Sequence, residues 1–335
     1  MFPTRRNFVL AAAATATAGL VWSGQRRRAQ AQEAPPETTK VTLAHAPSLC
    51  HMPQYVIDEL LAAEGITQVD SVVTDSGPLL SEAIASGQID FSMHFSGPLV
   101  LLLDRGRKVR MLAGVHVGCF ELFAKNGINS IADLKGRSVG TPALESSAHV
   151  FVSAMAALVG LDPTKDINWV TSAKPKPIEL FLEGKVDAFL GFPPEPQRLR
   201  AQNVGNVIVN SAQDRPWSQY FCCMLAGNPD FVRTKPIVTK RVVRAMLRAT
   251  DLCLSAPTRV ARQVVDRGFT PNYDYALRTL SDVPYGKWRD YDPEDTLRFY
   301  ALRLHEAGMI KSSPDRIIAD GADWRFLREV RRELG

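Results

Sequence analysis

None of the short motifs that announce common chemistries occurs in this sequence of 335 residues. There is no G-x-S-x-G, no H-E-x-x-H, no phosphate-binding P-loop and no G-x-G-x-x-G. HFSGP (94–98) places a His near a Ser, but adjacency along the chain is not a catalytic triad. No basic stripe with interleaved aromatics appears, which removes the main footprint of a nucleic-acid partner. Cysteine is scarce, five in all, and Cys50, Cys119, Cys222, Cys223 and Cys253 include no C-x-x-C pair. Past the first 31 residues no apolar run reaches the roughly 20 residues of a membrane span. These absences point away from an enzyme and toward a binding protein.

The first 31 residues are a segment apart. They hold five arginines and no acid, whereas the whole chain has 40 Lys+Arg against 35 Asp+Glu. The remainder is therefore neutral, and the basic balance belongs to the N-terminus. Arg5 and Arg6 precede a weakly apolar, alanine-rich run from Phe8 to Trp22. Ala29-Gln30-Ala31 then supplies a small-x-small cleavage site, which makes Gln32 the expected first mature residue. Thr4-Arg5-Arg6-Asn7-Phe8-Val9-Leu10 resembles the twin-arginine signal family, which implies the twin-arginine export machinery as a partner and export of a folded protein. QEAPPETT (32–39) reads as a short disordered linker.

An odd number of cysteines in an exported protein leaves at least one thiol unpaired. Cys222 and Cys223, adjacent in QYFCCMLAG, would face opposite sides of a strand and read as small core residues.

Beyond the linker, β-like runs alternate with helical ones. VTLA (41–44), SVVT (71–74), DFSM (90–93) and VRMLAGVHV (109–117) read as strands, separated by helical stretches closed by Gly. RSVGTP, INWV, DAFLGF and NVIVN repeat the pattern, with helices over 147–160, 177–183 and 195–203. Alternation of this kind signals βα units and a mostly parallel sheet. LLSEAIASGQIDFSMHF (79–95) and IELFLEGKVDAFLGF (178–192) echo one another as helix, Gly, Ile/Val-Asp, strand. The echo predicts two α/β, Rossmann-like lobes of related architecture. CFELFAKN (119–126) and QYFCCMLAG (219–227) are expected to pair as antiparallel crossover strands, forming a hinge. From about residue 230 the chain reads as helical, punctuated by Pro257, Pro271, Pro284 and Pro293. The expected division is lobe 1 over 40–118 and 226–335, and lobe 2 over 119–225.

HAPSLCHMPQYVIDELLAAEGI, SGQIDFSM, NSIADLKGRSVGTP and EGKVDAFLGFPPEP, in this order, resemble the type II periplasmic solute-binding proteins. The group they resemble serves ABC importers for nitrate, sulfonates, taurine and thiamine-pyrimidine precursors. The resemblance implies two lobes closing on a small-molecule solute in the periplasm and delivering it to a membrane ABC permease, without catalysis or a cofactor.

In open α/β sheets ligands sit beyond the carboxyl ends of the strands. The loops there nominate Ser48, Cys50 and His51 after the first strand, and His94, Phe95 and Ser96 after the third, with Ser96 as a helix cap. The second lobe nominates Glu145, Ser146 and Ser147, then Phe192, Pro194 and Glu195. Trp217 and Tyr220 precede the second crossover, where the cleft floor is expected. Glu195 reads as a lobe-closing salt-bridge partner or as a contact to an amine. The set is aromatic and hydroxyl-rich without Arg, which suits a flat organic solute, while helix N-termini keep sulfonates and carboxylates open. Two rivals remain. One is an enzyme resembling those that make the thiamine pyrimidine with His, a Cys-rich segment and iron. The other binds a metal or metal complex through His45, His51, His94, His116 and His149 with Cys50 and Cys119. Strand-end residues need not converge, so no metal ligands are assigned.

Overall fold

The computed structural model describes residues 33–73 and 78–335. The expected leader, with its expected twin-arginine motif and cleavage site, lies outside the described residues. Strands β1 (Lys40–His45), β2 (Gln68–Val73), β3 (Phe91–Phe95), β4 (Arg110–Val117), β5 (Glu121–Ala124), β6 (Ser138–Thr141), β7 (Asn168–Thr171), β8 (Ala188–Gly191), β9 (Asn206–Asn210) and β10 (Phe221–Gly227) build two five-stranded sheets. The first runs β2-β1-β3-β10-β4 and the second β7-β6-β8-β5-β9. In each, three neighbouring strands are parallel, and the fourth runs antiparallel to the strands on either side of it. The fold is α/β with two lobes of one topology. β3 and β10 are buried along their whole length, so they read as continuous apolar runs rather than as alternating ones.

The sequence echo is a shared junction. The Asp90 carboxylate accepts from the Thr42 N–H at 2.7 Å, and the Asp90 N–H donates to the Thr42 carbonyl at 2.9 Å. The Asp187 carboxylate accepts from the Ser138 N–H at 2.9 Å and its hydroxyl at 2.8 Å, and the Asp187 N–H donates to the Ser138 carbonyl at 2.9 Å. In both lobes one Asp starts the third strand in register with the first. Gly87 and Gly184, at φ +76 and +73, make the left-handed turn out of the preceding helix.

The expected pairing of the two crossover strands does not occur. Among the described residues β5 pairs with strands of the second sheet and β10 with strands of the first. Segments 118–120 and 211–220 cross between the lobes instead. They meet where the Ser211 N–H donates to the Phe120 carbonyl at 3.0 Å and the Phe120 N–H donates to Ser211 Oγ at 2.9 Å. Gly118, at φ +40, permits this approach, because a Cβ there would lie 2.2 Å from the Ser211 carbonyl oxygen.

Helices Pro236–Ser255, Pro257–Asp266 and Pro293–Glu306 follow the sequence pattern, each with Pro in its first turn. Helices Tyr273–Asp282, Pro314–Gly321 and Arg325–Leu334 complete the tail. The tail serves both lobes. Pro293–Glu306 packs on Ser96–Asp104 of one lobe and Ser147–Leu158 of the other. Asp282 accepts from Gln197 at 2.9 Å and pairs with Arg200 of the second lobe. The linker reading needs correction, since the Glu37 carboxylate accepts from the N–H groups of Ile237 and Val238 at 2.9 and 3.0 Å. Those amides open a helix and have no partner within it, so a nearby carboxylate is held there.

If the Asp junctions set strand register, Asp187→Ala lowers the unfolding free energy by about 2 kcal/mol, as befits charge-assisted bonds to a partly buried amide and hydroxyl. Urea unfolding of the variant checks this; an unshifted midpoint contradicts it.

Candidate functional site

The carboxyl ends of β1, β3 and β4 lie along one edge of the first sheet. Because β10 is antiparallel, its beginning lies on that edge too. The register sets Cys223 opposite Phe95 on one side and opposite His116 on the other. Directly opposed residues present their side chains to the same face. Phe221 pairs with Val117 and Cys223 with His116, so Cys222 is an extra residue in a bulge. Bulges re-aim side chains and recur beside functional sites.

Onto this edge comes the loop after β1, a short 3-10 turn over Leu49–His51. Ser48 Oγ lies 3.1 Å from Cys50 Sγ, and His51 Nε2 lies 3.5 Å from Cys223 Sγ. Cys119 enters from the first crossover segment, with its Sγ 2.7 Å from Cys222 Sγ. One ligand atom each from Cys50, His116, Cys119 and Cys223 lies within 4.8 Å of the others, and all four residues are buried. Of the residues considered as metal ligands from the sequence, Cys50, His116 and Cys119 do converge, and Cys223 joins them. None of the five cysteines is disulfide-bonded in this structure.

Burial dominates the ionisation here. It pushes the Cys119 thiol up to about 12, helped by Cys222, and raises Cys223 as well. Burial acts in the same sense on Cys222, but hydrogen bonding with Cys119 and Cys223 outweighs it and holds that thiol below its ordinary value. Burial lowers His51 to about 4, so its imidazole is neutral at pH 7. The Tyr285 hydroxyl donates to the Cys50 carbonyl at 3.1 Å, closing the cluster from the helical tail.

The second lobe covers this edge with its own strand-end loops. The Pro193 carbonyl accepts from the Leu49 N–H at 3.0 Å and from Ser48 Oγ at 3.4 Å. Phe95 meets Phe192 at 4.6 Å between ring centroids and Phe151 at 6.0 Å edge-on. Phe120 stacks on Phe151 at 4.6 Å. At Gly97 an added Cβ would lie 2.8 Å from a methyl of Val150, so the two lobes' helices touch. Arg105 and Glu145 form a salt bridge at the rim.

The remaining nominated residues sort by their partners. His94 Nε2 bonds Ser81 Oγ at 2.9 Å. Ser96 is not the cap of its helix; it is the first helical residue, and its hydroxyl donates to the carbonyls of Phe221 and Cys222 at 2.7 and 3.1 Å. Ser146 does cap a helix, accepting from the His149 N–H, and bonds Thr141 Oγ1 at 2.8 Å. Ser147 is buried, and its hydroxyl has no partner among the described residues. Pro194 precedes the helix Glu195–Ala201. Glu195 makes no lobe-closing salt bridge among the described residues; that role falls to Glu145. Trp217 and Tyr220 do not floor the cleft but pack on Phe299, Tyr220 stacked at 3.9 Å and Trp217 edge-on at 5.5 Å. Cys222 and Cys223 were missing from the nominated set, and His116 and Cys119 entered it only in the metal-binding alternative. The signal for them was Cys222-Cys223 at the start of β10, legible only once that strand is placed in the first sheet.

A groove of about 630 Å³ lies at the other end of this sheet, lined by Arg107, Arg110, Pro229 and Asp320 among others.

Burial raises the Glu195 carboxyl to about 7 from an ordinary 4.5, against the pull of Lys176. The folded protein therefore holds a proton that the unfolded chain releases. Stability from this group is full below pH 4.5 and is lost as the pH rises to about 7. Glu195→Gln flattens that part of the stability-against-pH curve; an unchanged slope in thermal unfolding between those values contradicts the assignment.

The profile of the NMT1-like family matches residues 34–266. A Brucella abortus (strain 2308) protein, named only as a binding protein, is 25% identical over 190 residues, 56% of this chain. The match takes in 58% of that relative's length. The taurine-binding periplasmic protein of Escherichia coli (strain K12) is 24% identical over 252 residues, 75% of each chain. The periplasmic nitrate-binding protein NrtA from Synechocystis PCC 6803 shares the fold, with a TM-score of 0.75 at 16% identity over 90% of each chain. These relatives are named as binding proteins.

Proposed function

We propose, since the chain belongs to the NMT1-like family, that it is the solute-binding component of an ABC-type importer. In this reading it captures a small solute between its lobes and hands it to a membrane permease. The observation that carries the reading is the meeting of strand-end loops from both lobes over one buried edge of the first sheet. The loop after β1 bonds to the loop after β8, and the helix after β3 touches the helix after β6. In an open α/β sheet that edge is where ligands bind.

The mechanism is a hinge. Solute contacts loops of both lobes, so it binds the closed arrangement better and shifts the population toward it. Two crossover segments with one shared set of hydrogen bonds, at Phe120 and Ser211, make a narrow connection for such a motion. The Phe95–Phe192 contact and the Arg105–Glu145 pair belong to the closed form. A periplasmic location is part of the proposal. It is supported by the basic, alanine-rich leader with Arg5-Arg6, which would route the protein through the twin-arginine machinery, and by the E. coli relative's name.

Native mass spectrometry of the protein from its own periplasm is the direct test; it should show one bound solute per chain, and consistently empty protein contradicts capture. Phe192→Ala should weaken solute binding about tenfold, or ~1.4 kcal/mol, by removing a contact that only the closed form makes. Gly97→Leu should hold the lobes apart. Small-angle scattering should then show no contraction on adding solute, whereas contraction equal to that of the parent protein rules out this closure geometry.

A further inference from the structure

The polar groups at the cleft edge form a set of one chemical character. Four of the five cysteines and two histidines gather there from separate segments: the β1 loop, the end of β4, the first crossover and the start of β10. Had these thiols been filling space as small apolar residues, imidazoles would not be needed among them. A buried imidazole nitrogen left without a partner is costly. Yet His116 Nε2 and His51 Nδ1 have no hydrogen-bond partner among the described residues. His116 Nδ1 lies 3.3 Å from the Val117 carbonyl, and donation to it leaves Nε2 as the bare lone-pair nitrogen. Metal-binding histidines take this form, with one nitrogen held by a backbone carbonyl and the other free for the ion.

The geometry points to a thiophilic d10 metal ion, zinc(II) or copper(I), as what this cleft takes, held by the thiolates of Cys50, Cys119 and Cys223 and the imidazole of His116. This rests on the reading of the cleft as the solute site and names the class of its occupant. Metal–sulfur bonds near 2.3 Å and metal–nitrogen bonds near 2.0 Å in a tetrahedron set ligand atoms about 3.5–3.8 Å apart. The four ligand atoms lie within 4.8 Å of one another, so a contraction on the order of 1 Å completes the site. Three sulfurs and one nitrogen select a soft ion; no carboxylate belongs to the group, which disfavours magnesium and calcium. Each ion bound displaces the thiol protons to solvent.

The position of the site joins it to closure. Cys119 belongs to the crossover segment that carries Gly118 and Phe120, so gathering it to Cys50, His116 and Cys223 sets the hinge. The loop bearing Cys50 is covered by Pro193 of the second lobe. An ion therefore enters the open form and is sealed in the closed one.

The experiment uses the exported protein, reduced and stripped of metal, and adds zinc(II) or copper(I) against a chromophoric chelator, with cobalt(II) as a spectroscopic probe. One ion per chain is expected, with Kd below about 1 μM, together with an intense thiolate-to-cobalt charge-transfer band. Cys50→Ser, Cys223→Ser and His116→Gln should each weaken binding by about 100-fold. Cys253→Ala, outside the group, should not. The cobalt spectrum of the parent protein decides the matter even if a variant fails to fold. Substoichiometric uptake, a cobalt spectrum without the thiolate band, or unchanged affinity in the Cys variants overturns the proposal. So does a Cys119–Cys222 disulfide found by peptide mapping of the protein as purified. A metal-free protein carrying an organic solute overturns the metal site alone and leaves the importer reading standing, whereas a protein that closes on no ligand defeats that reading.

Discussion

The cleft depends on one strand running against its neighbours. β10 arrives from the second lobe and lies antiparallel between β3 and β4. Only in that direction does its beginning, Phe221 to Cys223, reach the edge where the parallel strands end. A strand joining the sheet in parallel would put Cys222 and Cys223 at the far end, beside the groove lined by Arg107 and Arg110. The register then matters residue by residue, because a one-residue slip turns every side chain to the other face. The bulge at Cys222 is the local irregularity that lets consecutive cysteines serve one cluster, with Cys222 meeting Cys119 and Cys223 meeting His51.

The lobes are joined by weak and strong elements with different tasks. The Phe95, Phe120, Phe151 and Phe192 rings meet at centroid distances of 4.6 to 6.3 Å in offset and edge-on arrangements. Such pairs contribute about 0.5–1.5 kcal/mol each beyond the area they bury. The exposed Arg105–Glu145 pair adds about 0–1 kcal/mol. A seam of this strength suits a closed form whose population a ligand decides. The crossover contact between Phe120 and Ser211 is different in kind. It is a set of backbone and hydroxyl bonds at a position where Gly118 leaves no room for a side chain, and it ties the two crossover segments to each other.

Much of the fold was legible because local rules carry it. Strand–helix alternation, Gly at helix ends and the Ile/Val-Asp echo each act over a few residues, and the Asp90 and Asp187 junctions show why the echo exists. The misreadings concern partners distant along the chain. The 119–126 and 219–227 segments looked like a pair because both are apolar and both adjoin a boundary, yet each pairs with a different sheet. Trp217 and Tyr220 went to Phe299, about 80 residues later, and Glu37 went to a helix start 200 residues away. The tail helix Arg325–Leu334 is dense in charge and shows no apolar run, and packing against Pro236–Ser255 accounts for it.

By itself the sequence determined the class of this protein: two α/β lobes of one topology and a helical tail. Those properties follow from periodicity, turn chemistry and short-range hydrogen bonds, all of which are encoded within a few residues. Only the tertiary structure decided which side chains meet at the edge where the parallel strands end. Cys50, His116, Cys119 and Cys223 are separated by as many as 173 positions along the chain, and no local spacing relates Cys50 or Cys223 to the others. Sheet order, the direction of β10 and its bulge bring them within reach, and each of those is settled by long-range pairing of backbone groups.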